Sequence, residues 1–348
     1  MENHTNSTHK LLAEVKRLSA MAKVMGLLFV LLILFTFLFP FINSGFSHAK
    51  SANDPTKAAD SSAASFLQHV DDFTLAPYPD TEEGKMAAYG EQLIKETYKY
   101  LGPDNKANAV YTGNRLACGS CHLNAGTKAY AAPYVGLSAV FPIFSGREGK
   151  VATLEERING CFERSMNGKK LPVDSKEMLA MISYIKHISK DVKIGSRIEG
   201  QGFVKFKAPD RKADLNQGAI VFRKQCVSCH QENGLGLAKV ANNPAEGYVY
   251  PPLWGADSFN DGAGMARVLT AAKFIKGNMP LGISPQEPVL SDEEAFDVAA
   301  YINSFERPEK PHKDKDYPDL ALKPKDAAYP PFADNLSLTQ HKYGPFNF

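Results

Sequence analysis

Two pentapeptides of one form, Cys118-Gly119-Ser120-Cys121-His122 and Cys226-Val227-Ser228-Cys229-His230, stand about a hundred residues apart in the chain. Each residue type in them has its own task. Thiols two residues apart can add to the two vinyl groups on one edge of a porphyrin, and the adjoining histidine supplies a proximal nitrogen to the iron. A single copy could be chance or half of a zinc site. Two copies, both with the histidine, predict two covalently bound c haems, held by Cys118, Cys121 and His122 and by Cys226, Cys229 and His230.

The sixth iron ligand separates an electron carrier from a catalyst. In the second half, Lys276-Gly277-Asn278-Met279-Pro280-Leu281-Gly282 follows a helical stretch, with Met279 49 residues beyond His230. A methionine held before a proline in a tight loop suits a thioether ligand, which raises the potential. The plain alternative is a core methionine filling a gap. In the first half the equivalent stretch runs from Arg157 to Gly168 and offers two sulfurs, Cys161 and Met166. Spacing alone does not choose between them. Met178, Met181 and His187 read as core or surface residues.

With four of the five cysteines assigned to haem, Cys161 is the one left over. Arg147, Arg157 and Arg164 flank it. Cations beside a thiol favour the thiolate and attract a small anion. Glu148, Glu155, Glu156 and Glu163 are interleaved with them, so a solvated helix face is the competing reading.

These groups need elements to hold them, and the chain supplies the same set twice. Each half reads as helix, haem motif, long loop, second helix, ligand loop and third helix. Ala87 to Leu101 carries apolar residues at helical spacing, and a later helix begins near Asp174 or Ser175. Leu215 to Lys224 leads into the second motif, and Ser291-Asp292-Glu293-Glu294 is a capping box opening the last helix. The expected fold is mainly α, two tandem cytochrome c domains after an N-terminal signal or anchor helix. We place the export segment at 1–49, the first domain at 50–197, a charged, glycine-containing linker at 198–213, the second domain at 214–308 and a tail at 309–348. Recurrent prolines from Pro308 to Pro331 exclude a long helix in that tail. It reads as an extended, proline-rich segment over the domains, or else as disordered.

Lys10, Lys16, Arg17 and Lys23 precede an apolar run that reaches about residue 42, which predicts export by the general secretory route to the periplasm. A cleaved signal and a retained anchor through residues 24–42 both fit its length, because spans need roughly 17–25 residues. The remaining roughly 300 residues suffice for two ordinary domains. A net charge of +2 argues against a general polyanion-binding surface.

On these residues the chain resembles the dihaem thiosulfate dehydrogenases, periplasmic enzymes that couple two thiosulfates into tetrathionate and in some members favour the reverse. The resemblance runs from about Tyr89 to Pro308. It takes in Gly113-Asn114 and Leu116, Leu123-Asn124-Ala125-Gly126-Thr127, Val140-Phe141-Pro142, Arg147, the block from Arg157 to Gly168, and Asn278-Met279-Pro280. It implies that Cys161 is the sixth ligand of the first, catalytic haem. Arg147, Arg157 and Arg164 would then offset repulsion between two dianions, with Ser165 adding a hydrogen bond. A covalent sulfur–sulfur adduct on Cys161, resolved by a second thiosulfate, is the expected chemistry. Electrons would leave through the His230/Met279 haem to a soluble or membrane c-type cytochrome. One departure stands out: some members have lysine before the ligand methionine, where this chain has Asn278. Simple His/Met ligation is therefore expected. The alternative is a non-catalytic dihaem electron-transfer cytochrome c, which explains both motifs and Met279 but neither Cys161 nor the arginines. A haem-bearing subunit of a larger sulfur-oxidising complex is a third reading.

Overall fold

The structure is a computed structural model that describes residues 68–348 except 74, 107, 108 and 197, together with residues 21, 23, 25 and 28. The export or anchor segment expected at 1–49 lies outside the described residues apart from those last four. The chain divides into two compact units, residues 1–65 and 66–348, and everything below concerns the second.

Helix α1, Glu82–Lys95, starts where the Thr81 side chain accepts from the Gly84 amide at 3.1 Å. It stops short of the expected Leu101. Thr97 Oγ1 donates to the Leu93 carbonyl at 2.7 Å and accepts from the Cys118 amide at 3.1 Å. A threonine bonded back to the carbonyl four residues earlier bends a helix. Glu96 accordingly leaves helical geometry, and a separate turn, Thr97–Leu101, runs on towards the haem motif.

Helix α2, Leu154–Arg164, opens on a capping box between Thr153 and Glu156. Helix α3, Lys176–Ile188, is capped by Ser175, as the sequence predicts. Between the first haem motif and α2 lies a small hairpin, β1 (Ile143–Ser145) against β2 (Lys150–Ala152), with Arg147 in its turn. The core of this half joins Leu93, Leu101, Phe162, Met178, Met181, Tyr184 and Ile185. Met178 and Met181 are thus core residues, and His187 Nε2 bonds the Ala76 carbonyl at 2.9 Å.

The second half repeats the plan with α4 (Leu215–Gln225), α5 (Val268–Asn278) and α6 (Asp292–Ser304). The Ser291–Glu294 capping box is present with both of its hydrogen bonds. A second hairpin, β3 (Leu237–Val240) with β4 (Asn243–Tyr250), follows the haem motif. Phe222, Trp254, Val268, Leu290, Phe296 and Ile302 form its core.

One packing device recurs in both halves. A Cβ at Gly90 of α1 would lie 2.0 Å from the Ala180 carbonyl of α3. A Cβ at Gly218 of α4 would lie 2.2 Å from the Asp297 carbonyl of α6. Each first helix therefore crosses its last helix backbone against backbone, a contact only glycine allows.

The stretch expected as a linker is packed against the first half at its start. Glu199 exchanges backbone bonds with Gln68 and Val70, both at 2.9 Å, while Gly200 and Gly202 accept from the Tyr130 and Ala132 amides at 2.6 and 2.7 Å. The C-terminal residues, expected to be extended, carry helical turns at Lys313–Lys315 and Leu320–Leu322 and a short helix α7, Leu338–Tyr343. Helix α7 falls in the proline-free interval between Pro331 and Pro345, where backbone amides are available and Ser337 caps it. This segment touches both halves. The Tyr317 amide donates to the Arg147 carbonyl, and the Ala213 amide to the Tyr343 carbonyl, each at 2.8 Å.

Candidate active site

A cleft of about 830 Å³, solvent at its mouth included, opens in the first half. Cys118, His122, Tyr134, Arg157, Cys161 and Met166 line it, with apolar walls from Ile94, Leu154, Phe162 and Ile185. His122 comes from the turn after the haem motif. Its Nδ1 donates to the Ala132 carbonyl at 2.7 Å, which leaves Nε2 as the ligand nitrogen. The Tyr134 ring stands 4.5 Å from the imidazole, centroid to centroid. Burial pushes the His122 imidazole down to about 4, so it stays neutral and able to ligate.

Cys161 faces this cleft from α2. Arg157, one helical turn earlier, donates Nη1–H to its Sγ at 3.3 Å. The cysteine is half-buried and the arginine exposed, so sulfur and cation meet at a mouth that solutes can reach. Met166 also lines the cleft, which is why spacing did not separate the two sulfurs. Only Cys161 has a guanidinium bonded to it among the described residues.

The far end of α2 is fixed by the other half. Asn260 donates its amide to the Arg164 carbonyl at 3.2 Å and its side chain to the Glu163 carbonyl at 2.9 Å. Asn114 donates to the Ser165 carbonyl at 2.9 Å and to the Ser258 carbonyl at 3.1 Å. These are the carbonyls a helix leaves without partners at its C-terminus. Two buried asparagines therefore hold α2 in register with the second domain.

The structure does not put all the predicted site residues in the cleft lining. Arg147 is in the β1–β2 turn against Tyr317, Arg164 is buried in an ion pair with Asp316, and Ser165 closes α2 beside Asn114. Sequence reading gave Asn114 a place in the resemblance but no role, and missed Tyr134, Asn260, Asp316 and Tyr317. Asn114 sits in a recognisable segment, whereas Asp316 and Tyr317 lie 152 and 170 residues from the arginines they meet.

The second cleft, about 2220 Å³ with the solvent at its mouth, is lined by Cys226, Cys229, His230, Met265 and Met279, and also by Cys121 of the first motif. The first motif therefore stands between the two clefts. His230 Nδ1 donates to the Pro251 carbonyl at 2.8 Å, repeating the His122 arrangement, and burial again lowers the imidazole pKa. Asn278, fully buried beside Met279, donates to the Tyr130 carbonyl at 3.1 Å. Tyr130 is two residues from Ala132, the partner of His122, so one backbone segment links the two ligand loops.

Both donor sets fit haem iron. Each cleft has apolar walls, thiols of the attachment pair and an oriented imidazole. The first adds Cys161 or Met166 and the second adds methionine sulfur.

Similarity to known proteins bears on the family and the fold. Residues 108–194 match the SoxA/TsdA cytochrome c domain, and residues 213–302 match the family described as cytochrome c oxidase, cbb3-type, subunit III. A thiosulfate dehydrogenase of Psychrobacter arcticus is 44% identical over 78% of this chain and 79% of its own length. One from Thiomonas intermedia is 39% identical over 67% and 69% respectively. The solved thiosulfate dehydrogenase (TsdBA) of Marichromatium purpuratum aligns with a TM-score of 0.60 at 34% identity, covering 67% of this chain. This chain spans about half of that one, 49%. The two halves are cytochrome c domains, each with one covalently bound haem c. On motif, fold and similarity together, the chain belongs to the thiosulfate dehydrogenase family of c-type cytochromes.

Proposed function

We propose that this protein interconverts two thiosulfate dianions with one tetrathionate dianion and two electrons, at Cys161 in the first cleft. The observation that carries the reading is the meeting of Cys161, its Arg157 donor at 3.3 Å and His122 in one solvent-reached cleft. Cys161 is taken as the sixth ligand of the first haem and Met279 as that of the second. When bound, the haems supply two one-electron centres, the thiolate-ligated one lower in potential than the methionine-ligated one.

The chain's own residues do the rest. Arg157 donates to Cys161 Sγ and draws the anion to it. The terminal sulfur of thiosulfate joins Cys161 Sγ, two electrons leave, and the cysteine carries a sulfur–sulfur adduct. A second thiosulfate attacks the outer sulfur of that bond. The bond to Sγ breaks, tetrathionate departs and the Cys161 thiolate returns, with no proton gained or lost. Arg147 and Arg164 add positive charge where two dianions must approach, and Ser165 adds a hydrogen-bond donor.

His230 and Met279 would hold the second haem, which would supply the outlet for electrons to a soluble or membrane c-type cytochrome. The basic residues ahead of the apolar run at 24–42 support export to the periplasm by the general secretory route, with or without retention as an anchor. The test is thiosulfate-dependent reduction of a c-type cytochrome by the haem-loaded protein, with tetrathionate quantified. One tetrathionate per two thiosulfates and two electrons is expected. Haems that cycle with redox reagents but ignore thiosulfate would leave only an electron carrier.

A further inference from the structure

Arg147 and Arg164 lie outside the cleft lining, yet neither is an ordinary solvated cation. Arg164 is three residues past Cys161, on the neighbouring ridge of the same helical face. Both arginines meet one stretch of the C-terminal segment. Arg147 Nε donates to the Tyr317 phenol oxygen at 3.3 Å, and its guanidinium lies 5.6 Å from the ring centroid. Arg164 pairs with Asp316 at 2.5 Å, with both side chains 9% exposed. The second Asp316 oxygen accepts the Tyr329 hydroxyl at 2.9 Å.

The stretch is firmly seated on the hairpin turn that carries Arg147. A Cβ at Gly146 would come within 3.1 Å of Leu322, and one at Gly149 within 3.1 Å of Pro318. Charge does not cancel there: Asp316 pairs with Arg164 alone, Arg147 is bonded to a phenol, and the buried Arg164 Nε has no hydrogen-bond partner. A phenol in place of a second carboxylate orients Arg147 while leaving its charge for something else. Such an arrangement suits an incoming anion.

We propose that Tyr317 and Asp316 are positioning residues for the anion site beside Cys161, making the C-terminal segment a working part of that site. Tyr317 sets Arg147, and Asp316, steadied by Tyr329, sets Arg164. This rests on the reading that thiosulfate reacts at Cys161.

The test compares the haem-loaded full-length protein with Tyr317→Phe, Arg147→Ala and the double variant, measuring KM and kcat for thiosulfate and the two haem potentials. Tyr317→Phe keeps the ring and the backbone bond and removes only the phenol oxygen. KM should rise about threefold to tenfold, with kcat within about twofold, as expected for one hydrogen bond. The haem potentials should not move, and adding Tyr317→Phe to Arg147→Ala should cost nothing further. If Arg147→Ala raises KM and Tyr317→Phe does not, the positioning role is wrong and the site reading survives. If Arg147→Ala also leaves KM unchanged, Arg147 is not in the site and the proposal falls, while the reading at Cys161, which rests on Arg157 and His122, stands. A fall in kcat with shifted potentials would mark Tyr317 as a purely structural contact and overturn the proposal.

Discussion

The two halves build the same frame and fill it differently. Each crosses its first and last helices at a glycine, Gly90 or Gly218, and turns its haem-motif histidine by a backbone carbonyl, Ala132 or Pro251. The first half then places a cysteine and an exposed arginine at its cleft, while the second offers a half-buried methionine. Polarity at the sixth position is what separates them. A thiolate beside a cation can bind and react with an anion, whereas a thioether among apolar walls can only hold an iron and tune its potential. Two domains of one plan thus offer one cleft suited to reaction and one suited to conduction, with the first haem motif standing between them.

The contrast can be broken from either side. The largest effect is expected from Cys161→Gly, which should lower thiosulfate turnover about a thousandfold or more while both haems remain attached, because the reacting sulfur is gone. Steady-state assays beside a haem count check it. Arg157→Ala should leave the cysteine and raise the thiosulfate KM by about tenfold to a hundredfold, the range for a charge-assisted hydrogen bond. Titration of rate against thiosulfate reads this directly.

Changes in the second half should act on electron flow instead. Met279→Ala should lower the second haem's potential and slow turnover about tenfold, with KM inside about twofold. Redox titration with parallel kinetics separates the two effects. The smallest effect is expected from Asn278→Leu, which removes the donor to Tyr130 and should cost about 1–3 kcal/mol of stability. Denaturant unfolding of the haem-loaded protein measures that loss. Partial loss of the red-region band of methionine-ligated ferric haem would accompany it.

How much of this could be read from the chain alone depended on distance along it. Local rules performed well: Ser175 and Ser291 cap the helices that their neighbours announce. The break after α1 was not legible, because the Thr97 hydroxyl that bonds back to Leu93 also accepts from Cys118, some twenty residues away. Gly90 and Gly218 look like helix-weakening residues until the crossing helices are seen. The sixth ligand of the first haem was open on spacing, and the structure explains why, since Cys161 and Met166 share one cleft. Arginines near Cys161 in sequence divided in space. Arg157 stayed with the sulfur, while Arg147 and Arg164 turned to a segment that no local pattern connects to them. The C-terminal residues were read as a cover, and their packing instead ties the hairpin turn to α2.

Protein-film voltammetry on the wild type and on Cys161→Gly tests the central claim most directly. With thiosulfate and tetrathionate both present, the wild type should give a catalytic current whose sign reports the favoured direction. Cys161→Gly should retain two reversible haem signals with the current gone. A catalytic current that survives in Cys161→Gly would contradict the assignment of the chemistry to the first half's sulfur.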